Sequence, residues 1–182
     1  MEPHISAGGK LGPLARKLNL GCGFDIREGY VNVDFQQFHH PDLVADVREL
    51  STLPSDYFEE IVAQDVLEHL PRVDTSKALA EWNRLLRIGG MLYLRMPNIL
   101  GVAELLLQPE RQSMDDQKTL VQCLFGTQAY TGDWHYTAFT PPLVHYYLEE
   151  AGFEILNLAA KDHWLFDVSA AKRRQSGRLG SP

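Results

Sequence analysis

The chain has 182 residues and a formal net charge of −7, a length that suits one domain with a single core. Its negative charge argues against a nucleic acid as the main partner. The longest apolar stretches are only strand-sized, so we expect no membrane span and a cytoplasmic location. No His, Cys or Asp cluster has the spacing of metal ligands, and we predict no metal.

Residues 1–16 begin with MEPHISAGGK, which has no apolar signal region, and we expect a flexible leader there. Residues 17–171 are predicted to form a single domain. Residues 172–182 open on Lys172-Arg173-Arg174 and continue with Gly, Ser and Pro, so this polar tail is expected to be disordered. The basic cluster therefore does not change the expectation that no nucleic acid is bound.

Strand and helix patterns alternate along the predicted domain. Strands are expected at 18–22, 30–35, 43–47, 59–65, 90–96, 153–160 and 163–169, and helices at 74–87, 101–107, 114–124 and 141–151. This order predicts an α/β fold, with a Rossmann-like, mostly parallel sheet of about seven strands and helices on both faces.

The most informative stretch is KLNLGCGFDIREGYVNVDFQ, from Lys17 to Gln36. An apolar run ends in Gly21-Cys22-Gly23, and a second β-rich run from Tyr30 to Val33 ends in Asp34. Glycines at a strand end let backbone N–H groups approach a ligand closely. An acid at the end of the next strand is placed to accept hydrogen bonds from a ribose. The pattern indicates a nucleoside-binding edge; the alternative is a tight turn between two core strands.

Only six residues separate Gly23 from Tyr30. A helical crossover between parallel neighbours needs about a dozen residues or more. The helix that would follow the glycine loop is therefore expected to be shortened or absent. One sheet face is then thinly covered, and a homodimer or a protein partner is a possible cover.

Three further motifs follow in order: LVADV from Leu43 to Val47, FEEIVAQDVLEHL from Phe58 to Leu70, and LLRIGGMLYLRMPN from Leu85 to Asn98. With the glycine stretch, this ordered set resembles class I S-adenosylmethionine-dependent methyltransferases, and is most similar to their small-molecule, type 11-like branch. The resemblance implies an enzyme that transfers a methyl group from S-adenosylmethionine to a hydroxyl or amine of a small molecule, such as a sugar or secondary metabolite.

The resemblance also implies a cofactor site. Asp34 is expected to bind the ribose, unless it only caps its strand, and Asp46 the adenine amino group, unless it caps a short helix. Asn19 stands where similar enzymes more often have an acid, which turns a charged contact into a neutral one. The predicted cofactor-binding residues are Asn19, Gly21, Cys22, Gly23, Asp34, Phe35, Asp46, Val47, Gln64 and Asp65.

Two histidines are candidates for catalysis. His69 lies in VLEHL, where it is either a base or a brace for its loop. His135 lies in the aromatic segment 130–139, which in similar enzymes lines the acceptor pocket; otherwise that segment is a plug over the sheet edge. Tyr130, Trp134 and Tyr136 are the predicted substrate-binding residues.

Two other functions remain open at this point. The missing helix, Asn19 and the small size favour a catalytically silent subunit or scaffold that binds S-adenosylmethionine. A nicotinamide dehydrogenase also uses a glycine loop and a ribose acid, but the chain lacks G-x-G-x-x-G, and the VLEHL and IGGMLYLRMPN segments speak against it.

Overall fold

The computed structural model describes residues 4–7, 10–13 and 15–177. Strand β1 (His4–Ala7) pairs antiparallel with β2 (Lys10–Pro13), and both lie in the stretch predicted to be a flexible leader. The rest of that leader before residue 15, and residues 178–182 of the predicted tail, lie outside the described residues. The predicted domain limits stay predictions.

The main sheet has seven strands in the order β5-β4-β3-β6-β7-β9-β8. Their bounds are Lys17–Leu20 for β3, Val31–Asp34 for β4, Leu43–Val44 for β5, Phe58–Gln64 for β6, Leu86–Pro97 for β7, Phe153–Lys161 for β8 and Leu165–Lys172 for β9. The first five run parallel, and β9 lies antiparallel between β7 and β8. The predicted Rossmann-like, mostly parallel sheet is confirmed.

Four α-helices lie within the described residues: α1 (Thr75–Leu85), α2 (Ile99–Leu107), α3 (Met114–Phe125) and α4 (Pro141–Glu150). Helices α1 and α4 contact each other and the sheet, and Trp82 and Leu148 bury their side chains in the core formed there. Helices α2 and α3 pack on each other around a smaller cluster with Val102 and Leu120. Within the described ranges, no helix is both long and apolar enough to cross a membrane.

No helix connects β3 to β4, since residues 21–30 form only turns and loop. The sheet face opposite α1 and α4 is mostly polar, because strand alternation and register place on it Lys17, Asn19, Asn32, Glu60, Gln64, Tyr93, Arg95, Asn157, Asp167 and Ser169. Many of these groups bond to one another: Lys17 Nζ lies 3.4 Å from Glu60 Oε2, and Asn32 Nδ2 donates to Asp42 Oδ2 over 2.9 Å.

The polar character of this face bears on the predicted partner. That prediction assumed an exposed apolar patch where the helix is missing. The sheet residues there are mostly polar, but the link itself exposes Phe24 (77%) and Ile26 (49%). Exposed apolar side chains are one basis for a partner, so the dimer or protein partner stays a prediction.

The end of the sheet holds an unusual buried cation. Lys172 was predicted to open the disordered tail, but it is the last residue of β9 and its side chain is fully buried. Its Nζ donates to Asp56 Oδ1 over 2.6 Å and to the Leu86 carbonyl over 2.7 Å. The next residues continue along α1, where the Arg174 carbonyl accepts from Asn83 Nδ2 over 3.0 Å.

Replacing Lys172 by Met should lower the free energy of unfolding by about 1–3 kcal/mol, because the Leu86 carbonyl loses a charged donor in a buried position. Urea unfolding followed by circular dichroism measures this change. Arg173→Met is the matched control, since its exposed side chain pairs only with Glu154, and its effect should stay within about 0.5 kcal/mol. Equal losses in the two variants would contradict the assignment.

Candidate functional site

A cavity of about 620 Å³ lies at the carboxyl ends of β3, β4 and β6, the edge at which open α/β sheets bind ligands. All ten residues predicted to bind the cofactor line it: Asn19, Gly21, Cys22, Gly23, Asp34, Phe35, Asp46, Val47, Gln64 and Asp65. His69, Tyr130 and Tyr136 line it too. His135 and Trp134 are not among its lining residues. The fold thus brings most of the predicted site residues around one space.

The two glycines of the loop are needed for different reasons. Both have positive φ, +60° at Gly21 and +51° at Gly23. A Cβ at Gly21 would lie 2.6 Å from Cγ2 of Val66, so this glycine permits close packing of the loop on the chain after β6. A Cβ at Gly23 would meet no atom within 4 Å. Gly23 therefore leaves its backbone open toward the cavity.

Asp34 holds the glycine loop against the end of β4. Its carboxylate is buried and accepts hydrogen bonds from the backbone N–H of Gly23 (2.9 Å) and of Gln36 (2.7 Å). Nδ1 of His39 lies 3.1 Å from Oδ1, without the alignment of a hydrogen bond. An ionised carboxylate has about four acceptor positions, so Asp34 keeps capacity for a ligand.

Asn19 braces the same loop from below. Its Nδ2 donates to the Asp25 carbonyl over 2.7 Å and to Oδ1 of Asn32 over 3.1 Å. An amide carries two N–H donors and one acceptor oxygen, so both donors are used and only Oδ1 is left. The side chain therefore offers the cavity an acceptor, as an acid at this position would, but without the charge.

Asp46 forms an ion pair with Arg48, which was not among the residues predicted to line the site. Arg48 donates to it from its backbone N–H (2.9 Å) and from its guanidinium (2.6–3.0 Å), and also pairs with Asp74. The hydrogen bonds from Arg48 lower the pKa of Asp46 despite partial burial. No α-helix starts here, so the bond to the Arg48 N–H closes a turn and does not cap a helix.

A second missed cation lies at the end of β7. Arg95 lines the cavity and forms a bidentate pair with Asp65, with Nε 3.0 Å from each carboxylate oxygen. Arg95 is paired with Gln64, the last residue of β6, in the register of β6 and β7. This register is the signal that places Arg95 at the cavity. Gln64 in turn accepts from Arg27 Nη2 over 3.0 Å.

Segment 126–140 forms the wall of the cavity opposite the glycine loop. The Glu68 carbonyl accepts from the N–H of Tyr136 over 2.8 Å, and the Thr131 carbonyl accepts from Gln36 Nε2 over 2.8 Å. Gly132 packs so closely on Phe35 that a Cβ there would lie 2.4 Å from the ring. These contacts turn Tyr130 and Tyr136 into the cavity, while Trp134 stays outside it and is 48% exposed.

His69 and His135 lie side by side, with ring centroids 4.7 Å apart. Nδ1 of His69 is 3.2 Å from the Trp134 carbonyl, and Nδ1 of His135 is 3.2 Å from the Cys123 carbonyl. Burial, and then the neighbouring His69, lower the pKa of His135. At neutral pH the His135 ring is therefore neutral, with its proton on Nδ1 and a lone pair on Nε2.

Glu68 is a third titratable residue close to His69 and His135. It is 1% exposed, and its Oε2 has no hydrogen-bond partner among the described residues. Burial, and then the charge of Asp65, raise the pKa of the Glu68 carboxyl well above its ordinary value.

Comparison with known proteins agrees with this geometry. Residues 6–94 match the family model of a methyltransferase domain. No match is found among curated proteins. The family match spans just under half of the chain. Over the matched residues the chain is similar to S-adenosylmethionine-dependent methyltransferases, whose cofactor is S-adenosylmethionine.

Three solved structures share the fold of this chain. One is an S-adenosylmethionine-dependent methyltransferase from Methanosarcina mazei, with 20% identity, a TM-score of 0.62, and coverage of 86% of this chain and 92% of that chain. Another, a possible exported protein from Bordetella parapertussis, has 16% identity and a TM-score of 0.61 over 88% of this chain, which spans 63% of that chain's length. The third is the 1,6-didemethyltoxoflavin N1-methyltransferase of Burkholderia thailandensis with S-adenosylhomocysteine, with 16% identity, a TM-score of 0.55, and coverage of 87% and 71%.

The thiol of Cys22 gives a test of the cavity wall. Burial and the charge of Asp34 raise its pKa to about 11, and only the thiolate is nucleophilic. In the folded protein at about pH 8, iodoacetamide should leave Cys22 unmodified, and its labelling should rise only as the pH approaches about 11. Mass spectrometry of the labelled peptide measures this.

The control for Cys22 is the same protein labelled in denaturant, where the thiol regains its ordinary pKa and should react fully. Cys123, whose pKa is also raised by burial, gives an internal comparison on the far side of segment 126–140. Rapid modification of Cys22 in the folded protein at about pH 8 would show that this wall is open to solvent.

Proposed function

We propose that the protein transfers a methyl group from S-adenosylmethionine to a hydroxyl or amine of a small molecule, such as a sugar or secondary metabolite. The observation that carries this proposal is that one cavity is lined by the glycine loop and Asp34 at one end and by His69 and Tyr136 at the other. S-adenosylmethionine supplies the electrophilic methyl carbon and the leaving group. The protein must hold the cofactor and align an acceptor atom with it.

The cofactor end of the cavity offers the contacts that a nucleoside with an amino acid tail requires. Gly23 leaves room for close approach, and Asp34 has acceptor positions left for the ribose hydroxyls. Oδ1 of Asn19 is an acceptor for the ammonium group. Asp46 already accepts four hydrogen bonds from Arg48, so as the acceptor for the adenine amino group it would give up part of that pairing. Phe35, 55% exposed beside Gly132, offers a ring face to the adenine.

The acceptor end is aromatic. Tyr136 lines the cavity next to His69, Tyr130 lines it next to Phe38 and His39, and Trp134 is half exposed outside it. The cavity volume of about 620 Å³ lies within the range of about 300–1,000 Å³ that small-ligand pockets have. This size supports a small acceptor beside the cofactor.

A hydroxyl acceptor loses its proton as its oxygen attacks the methyl carbon. His69 lines the cavity and His135 stands behind it, and the protons of both rings are held by backbone carbonyls on the Nδ1 side. Nε2 of each ring therefore carries the lone pair that can take the proton of the acceptor. A free amine acceptor needs no base, and the two rings would then only position it.

Replacing Asp34 by Ala should weaken binding of S-adenosylhomocysteine by about 1–3 kcal/mol, because ribose hydroxyls would lose their acceptor. Titration calorimetry measures the change. Asp42→Ala is the matched control: its carboxylate accepts from the backbone N–H of Asn32 on the same strand, but it does not line the cavity. It removes a comparable brace and should leave the affinity unchanged.

Equal affinity for the wild type and a folded Asp34→Ala variant would contradict the ribose assignment. Tight binding of NAD without any binding of S-adenosylhomocysteine would contradict the cofactor class for this chain. Binding without turnover of any tested sugar or metabolite would favour a catalytically silent cofactor-binding subunit.

The double variant His69→Ala and His135→Ala should lower turnover of a hydroxyl acceptor by about 10²–10⁴-fold, the usual contribution of a positioned proton acceptor. Its affinity for S-adenosylhomocysteine should stay close to that of the wild type, because neither ring lies beside the glycine loop. Single-turnover rates and calorimetry separate the two effects. Full turnover by the double variant would leave positioning alone as the source of the rate.

A further inference from the structure

Three potential metal ligands meet beside the cavity, although two of them are adjacent in sequence and the third is far along the chain. One atom each from Glu68, His69 and His135 lies within 4.8 Å of the other two. The expectation of no metal rested on spacing along the sequence, which does not reveal this meeting. Two imidazoles and one carboxylate are a ligand set that first-row transition ions prefer over Mg²⁺ or Ca²⁺.

The two rings have the tautomer that metal binding needs. A backbone carbonyl only accepts hydrogen bonds, so the carbonyl of Trp134 fixes a proton on Nδ1 of His69, and that of Cys123 does the same for His135. Each Nε2 is then a lone pair with a carbonyl behind the opposite side of the ring. Ligating histidines are usually oriented by such a contact.

Glu68 supplies an independent observation. Its side chain is 1% exposed, and Oε2 has no hydrogen-bond partner among the described residues. A buried carboxyl oxygen without a hydrogen-bond partner is costly, whereas one that coordinates a cation is satisfied. The neighbouring acid, Asp65, is already paired with Arg95, so Arg95 does not supply the missing partner to Glu68.

The two segments that carry the ligands are held together by the backbone. The Glu68 carbonyl accepts from the N–H groups of Tyr136 (2.8 Å) and Thr137 (3.4 Å), next to the contact between His69 and the Trp134 carbonyl. Ligand atoms around one ion, bonded at about 2.0–2.1 Å, lie roughly 3.3 Å apart. The ligand atoms therefore have to approach one another by about 1.5 Å or less to coordinate one ion.

We propose that Glu68, His69 and His135 bind one divalent first-row transition ion of the Zn²⁺ type. Three protein ligands leave at least one coordination position open, as in catalytic metal sites. His69 lines the cavity, so that position faces the space proposed for the acceptor. The role of the ion rests on the proposed function. The ion would hold the acceptor heteroatom, and Nε2 of His69 and of His135 would coordinate the ion instead of taking the proton of the acceptor.

Untagged, metal-stripped protein is titrated with Zn²⁺ in a calorimeter and with Co²⁺ in an absorption spectrometer. We expect one ion per chain and the visible bands of Co²⁺ held by nitrogen and oxygen ligands. Glu68→Gln and His135→Gln should each weaken binding at least about tenfold. Circular dichroism and thermal unfolding establish that both variants are folded.

His145→Gln is the matched control, because Nδ1 of His145 lies 3.4 Å from Glu149 on the exposed face of α4, a pair with too few ligands for a site. It should bind the ions like the wild type. Unchanged affinity in both folded ligand variants, or an equal loss in His145→Gln, would overturn the proposal. The affinity of metal-free protein for S-adenosylhomocysteine is measured separately, so failure of the metal site and failure of the cofactor assignment are distinguished.

Discussion

The short link from β3 to β4 is the constraint on which the rest of the site depends. Residues 21–30 cannot form a crossover helix, so the face of the sheet beneath them has no helical cover from this link. Most side chains on that face are polar, and Asn19 and Asn32, both buried, bond to each other over 3.1 Å. The main apolar cluster lies on the other face, where α1 and α4 pack.

Without a helix behind it, the glycine loop must be held by side chains. Asp34 bonds the loop at Gly23 and Asn19 bonds it at Asp25, so both anchors come from the strands that the loop connects. A helix would supply N–H groups and packing together, whereas these side chains supply single hydrogen bonds. The residues that fix the loop are then also residues of the cavity, and any change to them alters both shape and chemistry.

The fold and the cofactor end of the cavity could be predicted from the sequence because their signals are local. A strand that ends in glycines and another that ends in Asp34 already imply which atoms meet, since parallel strands end at one edge. Arg48 and Arg95 were missed because a cation in a strand or turn gives no periodic signal, and only the register pairs Arg95 with Gln64. The burial of Lys172 was missed for a similar reason: its partners, Asp56 and Leu86, are remote in sequence.

The group formed by Glu68, His69 and His135 could not be recognised from the spacing of these residues along the sequence. The short turn Leu67–His69 points a carboxylate into the protein and an imidazole toward the cavity. Backbone bonds from Tyr136 and Thr137 to the Glu68 carbonyl then dock segment 126–140 on this turn and bring His135 against His69. One carboxyl oxygen of Glu68 is buried without a hydrogen-bond partner among the described residues, and burial raises the pKa of this carboxyl. A cation bound there would compensate for that burial, and the two imidazoles beside the carboxyl are the reason to propose a metal ion.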